Sequence, residues 1–129
     1  HYLIGLSYLG LQEPEKSIEY FDIAITERRD TGNILIQFYK SIALFRSKRF
    51  KNSMEILKGC IDQNVNFIEA YYYLGKNLFQ LGNIKDSKYY FEKALTLYDL
   101  GYKIRSPYNE VFFECYRQDI NSDISRLKF

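Results

Sequence analysis

The sequence predicts an all-α protein built from repeated helix pairs, and three observations point to that class. Its 129 residues are 47% hydrophobic, which is enough apolar material for a packed core. Apolar side chains recur every three or four residues, the spacing of one helix face, and do not alternate as in a strand. A pattern of small and large side chains also returns about every 34 residues, a period typical of helical solenoids.

The repeat is defined by five columns of residues that share the same two offsets. Successive copies are separated by 36 residues and then by 34, and the two extra residues are expected in the loop at 28–33. Small side chains let two helices cross closely, and large ones fill the space beside them. The columns are Gly5, Ser41 and Gly75; Tyr8, Leu44 and Leu78; Ser17, Ser53 and Ser87; Phe21, Leu57 and Phe91; and Ala24, Cys60 and Ala94.

Turn signals divide each copy into two helices. Gly82 suits the left-handed residue that ends a helix, and the corresponding turns fall at 12–14 and 47–49. Pro14 fits the first turn of the following helix, because its missing N–H would have no partner there anyway. Such a helix pair cannot bury its apolar face alone, so the copies are expected to stack on one another.

These columns resemble the tetratricopeptide repeat, whose signature is W-x2-L-G-x2-Y…A-x3-F…P. The third copy matches it at Tyr71, Leu74, Gly75, Leu78, Ser87 and Phe91. Asp99 stands where the family has proline, and in the second copy Gln37 and Lys40 replace the aromatic residue and the leucine. The resemblance implies a right-handed α–α superhelix of antiparallel pairs, with about seven helices.

The predicted organisation is one domain over residues 1–129, with repeats at 1–31, 34–67 and 68–101. A further helix is expected at about 107–127. Asn121 and Ser125 stand where a fourth repeat would place its small and large residues, which favours a capping helix over a degenerate repeat. Because the chain starts without Met and inside apolar periodicity, we expect a fragment of a longer protein, with the first repeat truncated at its start.

Composition argues against several functional classes. The net charge of +2 comes from 18 basic and 16 acidic residues, a balance that disfavours nucleic-acid binding. No apolar run approaches the ~18 residues of a membrane span. One histidine and two cysteines are too few ligands for a zinc site, and no cofactor is expected. We expect a cytoplasmic protein, although a targeting signal would be missing from a fragment.

Motifs for catalysis are absent from the sequence, so a non-enzymatic role is predicted. There is no nucleophile elbow and no glycine-rich phosphate loop. Cys115 has no histidine to activate it, and Cys60 fills a small-residue column that favours burial. The basic run at 46–51 is predicted to be a solvated turn, with a small electropositive spot for an acidic partner or phosphate as the alternative.

The family resemblance also implies where a partner would bind. In tetratricopeptide proteins the first helices line a concave groove that takes extended peptides or helices. The implied groove residues are mainly apolar or aromatic, which suits a partner helix or hydrophobic segment. They are Tyr2, Leu6, Leu9, Leu35, Phe38, Ile42, Phe45, Glu69, Tyr72, Lys76 and Phe79, with Glu110 and Phe113 as additions from the terminal helix. The alternative is that the terminal helix or missing repeats fill the groove.

A clamp for a C-terminal carboxylate, as in the relatives that bind heat-shock chaperones, is disfavoured. Tyr2, Leu6 and Tyr73 occupy clamp positions, and Glu69 puts a negative charge where a lysine would serve. The predicted function is therefore a scaffold or adaptor that binds a peptide or helix of a partner protein. A small chaperone for a hydrophobic client and a structural segment of a multi-subunit assembly are the alternatives, and self-association stays open.

Overall fold

The computed structural model describes residues 2–27, 34–102 and 117–127. Within these ranges the chain forms seven helices and no strand, which confirms the predicted all-α class. The helices are α1 (Tyr2–Gly10), α2 (Pro14–Glu27), α3 (Ile34–Arg46), α4 (Phe50–Gln63), α5 (Ile68–Gln80), α6 (Ile84–Asp99) and α7 (Arg117–Ser125). They belong to two compact units, the first unit at His1–Gln63 and the second unit at Asn64–Phe129.

Each predicted helix pair is held by the same hydrogen bond between its two helices. The Ser17 hydroxyl donates to the carbonyl oxygen of Gly5 at 2.8 Å. Ser53 donates to Ser41 at 2.7 Å, and Ser87 donates to Gly75 at 2.7 Å. All three serine residues are fully buried, and the first helix lies close enough to accept the proton of each hydroxyl. The small-residue columns are therefore the sites of this close crossing.

The glycines of the first column leave room for an aromatic ring of the second helix. A Cβ atom added to Gly75 would lie 2.6 Å from Cδ1 of Phe91, and one added to Gly5 would lie 2.7 Å from Cε1 of Phe21. The middle copy has a serine in the glycine column and the smaller Leu57 in the phenylalanine column. The two columns thus compensate for each other in volume.

Each of the three turns between paired helices contains a residue in the left-handed conformation, which the sequence predicted for Gly82. Gly82 has φ +81°, while Gln12 and Lys48 reach φ 60° and 66° as non-glycine residues. The residue after each turn donates its N–H back into the first helix, as Asn83 does to the Leu78 carbonyl at 2.9 Å. Pro14 begins α2, as predicted.

In the first unit, α2 packs against both α1 and α3, and α3 packs against α4. The Lys40 ammonium pairs with the Asp22 carboxylate at 2.6 Å and joins α3 to α2. Cys60 is buried in α4, as its small-residue column predicted.

In the second unit, α6 packs against α5 and α7. Ile120 and Leu127 are buried, so the C-terminal segment presents apolar side chains to this unit. Of the helix predicted at about 107–127, the described part is α7, and its capping role stays a prediction. Glu110, Phe113, Cys115 and the loop at 28–33 lie outside the described residues.

Candidate functional site

Of the seven predicted groove residues in the first unit, four are buried and three are half-buried. Leu6, Leu9, Phe38 and Ile42 are buried in the core. Tyr2, Leu35 and Phe45 are half-buried and keep part of their side chains accessible. In this unit the accessible part of the predicted site is therefore confined to those three residues.

Tyr2 owes its placement to aromatic packing. Its ring lies 6.1 Å from the ring of Phe21 and 6.2 Å from that of Tyr39, at tilts near 45° in both pairs. Both separations fall in the range favoured for aromatic pairs. Tyr2 thus packs α1 against rings of α2 and α3 and is itself half-buried.

In the second unit, the predicted groove residues divide between core and surface. Glu69 and Tyr72 are buried, Lys76 is half-buried, and the Phe79 ring is 38% exposed. Phe79 lies one turn after Lys76 on α5, so the last turn of this helix carries the accessible side chains.

Tyr72 is a packing residue that also contacts the C-terminal helix. Its hydroxyl donates a hydrogen bond to a carboxylate oxygen of Asp123 in α7. Its ring lies 5.6 Å from the Phe91 ring, and the Lys76 ammonium sits 4.9 Å from the Tyr72 ring centroid. The Asp123 contact was not predicted from sequence, because its spacing from Tyr72 carries no periodic signal.

Lys76 lies over aromatic faces. Its ammonium is also 5.5 Å from the centroid of the Tyr73 ring. A cation so placed is attracted by the ring quadrupole, an interaction of roughly 0.5–1 kcal/mol at an accessible site. These contacts hold the Lys76 ammonium over the two tyrosine rings.

The remaining tyrosines of residues 71–95 serve packing or the solvated surface. Tyr71 stacks on Tyr90 with ring centroids 6.3 Å apart, and its hydroxyl donates to the Val65 carbonyl at 2.8 Å. The pKa of the Tyr71 hydroxyl is raised above its usual value, mainly because the group is buried. Tyr89 is exposed on α6 and touches Tyr90 edge to face.

The basic turn at 46–51 uses two of its cations for structure. An Arg46 N–H donates to the Leu9 carbonyl at 2.9 Å, at the C-terminal end of α1. The Arg49 guanidinium pairs with the Glu15 carboxylate at 3.0 Å. Because these two charges already have partners inside the first unit, the solvated-turn interpretation fits better than an anion site.

Reactive and metal-binding groups are sparse in the described ranges. Cys60 is buried, and that burial raises the pKa of its thiol to about 12, which makes it a poor nucleophile. Residues 2–27, 34–102 and 117–127 contain no group of three or more His, Cys, Asp or Glu side chains that could hold a metal ion. Over the same ranges, none of the helices has the length and apolar character needed to span a membrane.

Two stretches of the sequence match family models of the tetratricopeptide repeat, residues 1–31 and residues 68–99. The chain is therefore a tetratricopeptide-repeat protein, as its residue columns predicted. The α3–α4 pair lies between the matched stretches and shares their serine hydrogen bond and turn geometry. No curated protein sequence matches the chain.

Solved structures show the same fold. The first tetratricopeptide domain of Spaghetti (RPAP3), bound to the HSP90 peptide SRMEEVD, is 17% identical with a TM-score of 0.74. That match covers 98% of this chain and 86% of the other. The human RPAP3 domain solved by NMR gives the same TM-score and identity, covering 98% of this chain and 85% of that one. PcrH, in complex with the chaperone-binding region of PopD, is 10% identical with a TM-score of 0.77, covering 98% and 86%. At these identities the likeness confirms the predicted tetratricopeptide solenoid fold and nothing beyond it.

Proposed function

We propose that the chain is a non-catalytic interaction module whose first helices bind a peptide or helix of a partner protein. The proposal rests on one column of residues near the end of the first helices, whose side chains differ in exposure from repeat to repeat. Leu9 fills it in α1 and is fully buried, whereas Phe45 in α3 is half-buried and Phe79 in α5 is exposed. Accessible aromatic side chains are enriched in protein interfaces, since they contribute large contact areas at low entropic cost.

The surroundings of Phe79 define the chemistry of the partner segment. Lys76, three residues before Phe79 on α5, is held over two tyrosine rings. A partner with apolar side chains on one face, at the three- and four-residue spacing of a helix, would complement Phe79. A carboxylate on that segment would complement the Lys76 ammonium, although such an exposed pair adds little affinity.

A non-catalytic role is supported by the chemistry of the described side chains. The Cys60 thiol is buried and protonated at neutral pH. The fold is a protein-interaction module in its relatives, and the RPAP3 and PcrH structures each hold a peptide segment of another protein. Those ligands belong to those proteins; here they support peptide binding as a class of function.

Selection from a displayed library of random peptides of about 15 residues tests the proposal. We expect recovered peptides to bind the Phe79→Ser variant at least tenfold more weakly, a loss of about 1.4 kcal/mol. Tyr89→Ser is the matched control, because Tyr89 is more exposed than Phe79 but lies on the second helix of the same pair. Equal binding to wild type and Phe79→Ser, with the fold intact, would contradict the proposed site.

The second candidate function is a chaperone that holds a hydrophobic client segment, favoured by the likeness to PcrH. The same selection separates the two functions. An adaptor should yield peptides that share a motif and lose binding when scrambled. A holder of hydrophobic segments should bind scrambled and original peptides alike, and should also suppress aggregation of an unrelated unfolded protein.

A further inference from the structure

The C-terminal helix carries a carboxylate on the side that packs against the rest of the second unit. Ile120 in α7 and Leu127 just after it are buried, and Asp123 lies between them with a side chain that is only 16% exposed. A carboxylate removed from water costs free energy unless it finds a hydrogen-bond donor. An apolar residue at position 123 would pack there without that requirement. Asp123 therefore makes the docking of α7 depend on the polar groups that it meets.

One of those polar groups belongs to a predicted groove residue of α5. The Tyr72 hydroxyl donates a hydrogen bond to the Asp123 carboxylate. On the solvent side, the exposed Arg126 guanidinium lies 3.4 Å from the other carboxylate oxygen of Asp123. The body of α7 packs on α6, so the bond to Tyr72 is a separate attachment of α7 to α5. Asp123 thus covers a residue that was predicted to face a partner.

Tyr72 is the first member of a row along one side of α5. Lys76 and Phe79 follow it four and seven residues later, the spacing that places side chains on one helix face. Accessibility increases along this row, since Tyr72 is buried, Lys76 is half-buried and Phe79 is exposed. The Lys76 ammonium lies 4.9 Å from the Tyr72 ring centroid, which puts a positive charge close to the hydroxyl end of the row. The Asp123 contact covers the Tyr72 end of the row and leaves Phe79 accessible.

We infer that Asp123 is an intramolecular competitor of the partner segment, which displaces it from Tyr72 on binding. The inference rests on the proposed function, because the partner is the one that contacts Phe79. It also names the chemistry of that partner. An acidic side chain takes the place of Asp123 beside Tyr72 and Lys76, and a large apolar side chain packs on Phe79.

The spacing of the row sets the spacing of these two partner residues. Tyr72 and Phe79 are seven residues apart, which is about 10 Å along a helix axis. A partner helix that lies along α5 therefore carries its acidic and its apolar residue about seven positions apart. Such a segment contacts both ends of the row, whereas Asp123 contacts the Tyr72 end. The contact with Phe79 is what favours the partner over α7.

The bond to Tyr72 determines how strongly α7 competes. A hydrogen bond to a charged group changes an equilibrium constant by a factor of roughly 10 to 100. The apparent Kd of a ligand is inversely proportional to the fraction of molecules in which its site is free. Removing the Asp123 carboxylate should therefore tighten partner binding by up to the same factor.

Peptide selection against the whole chain carrying Asp123→Ala tests this inference. Peptides of about 15 residues recovered from a random displayed library are titrated against this variant and the wild type. We expect them to carry the acidic and apolar residues at the stated spacing and to bind Asp123→Ala at least tenfold more tightly than wild type. Asp62→Ala is the matched control, because it removes the same charge from an exposed position of α4. It should bind these peptides as the wild type does.

Two further measurements separate competition from a merely structural role of α7. Tyr72→Phe in the Asp123→Ala background removes the donor hydroxyl and keeps the ring, so it should abolish most of the tenfold gain. Hydrogen exchange of the amides at 117–127 in wild type should become at least tenfold faster when the peptide saturates the protein. Unchanged or slower exchange would overturn the inference, as would a gain that survives Tyr72→Phe or a failure to recover any peptide.

The outcomes also distinguish this inference from the proposed function. Peptides that bind wild type and Asp123→Ala equally, yet lose binding with Phe79→Ser, would overturn the competition by Asp123 and support the proposed site. Peptides that gain affinity with Asp123→Ala and ignore Phe79→Ser would support the competition at Tyr72 and contradict the proposed site at Phe79.

Discussion

Replacing Gly75 by alanine gives the sharpest test of how the helix pairs pack. Two effects of opposite sign compete at this position. Alanine in a helix interior is favoured over glycine by roughly 0.5–1 kcal/mol. The added Cβ would, however, lie 2.6 Å from Cδ1 and 2.7 Å from Cε1 of Phe91, well inside van der Waals contact.

The steric effect should win, because the ring has nowhere to go. Phe91 is almost fully buried and lies 5.6 Å from the Tyr72 ring, so it cannot rotate away without displacing other core side chains. Overpacking of this kind costs about 1–3 kcal/mol. Subtracting the gain in helix propensity from the middle of that range leaves a net destabilisation of about 1 kcal/mol for Gly75→Ala.

Gly59→Ala is the matched control for the same chemical change. Gly59 lies inside α4, and nothing lies within 4 Å of a Cβ added there. This variant should gain only the higher helix propensity of alanine, so its free energy of unfolding should rise by roughly 0.5–1 kcal/mol. Urea unfolding followed by far-UV circular dichroism measures both changes through the transition midpoint, provided that the slope is unchanged.

A double variant separates steric conflict from other causes. Phe91→Leu in the Gly75→Ala background copies the pairing of Ser41 with Leu57 in the middle repeat. It should recover part of the stability that Gly75→Ala loses. The reasoning is refuted if Gly75→Ala is as stable as wild type, or if the two glycine variants shift the midpoint equally.

The remaining predictions concern the buried serine, the buried thiol and the disfavoured carboxylate clamp. Ser87→Ala should lower the free energy of unfolding by about 1 kcal/mol, because a buried hydrogen bond between helices is lost. Thr96→Ala removes an exposed hydrogen bond within one helix, and it should change the free energy of unfolding by less than about 0.5 kcal/mol in the same urea assay. In a Cys115→Ser background, a thiol reagent at pH 8 should label Cys60 roughly a hundredfold more slowly in the folded protein than in urea. Burial raises the Cys60 pKa from 9.0 to about 12. The stabilisation from its neutral thiol is therefore complete below pH 9 and is lost as the pH rises towards 12. Over that pH range the free energy of unfolding should fall more steeply for the wild type than for a Cys60→Ala variant. The peptide SRMEEVD should bind this chain at least tenfold more weakly than it binds the RPAP3 domain in parallel calorimetric titrations, and equal affinities would show that the clamp prediction is wrong.

The sequence alone predicted the helix pairs because their period is local and repeated. Five columns with common offsets specify where helices cross, and Gly82 and Pro14 specify where they end and begin. Such signals survive in sequence, since each depends on the size or backbone freedom of one residue. Cys60 and Tyr71 were placed correctly in packing for the same reason.

Other contacts depend on distances that no spacing rule encodes. The positive φ of Gln12 and Lys48 was also not evident from residue type, because neither residue favours that conformation. Local backbone hydrogen bonds into the preceding helix hold both turns. The bond from Tyr72 to Asp123 and the bond from Arg46 to Leu9 join residues that are distant in sequence. A single sequence does not reveal which distant polar groups meet.

What the sequence determined, then, is the class of fold and the register of its packing residues. Which groove residues stay accessible was decided only by the tertiary structure. Sequence placed Leu9 and Phe79 in the same kind of position, yet one is buried and the other exposed. The physical reason is that a repeat period fixes the direction of a side chain on its own helix, while its exposure depends on the neighbours that pack against it.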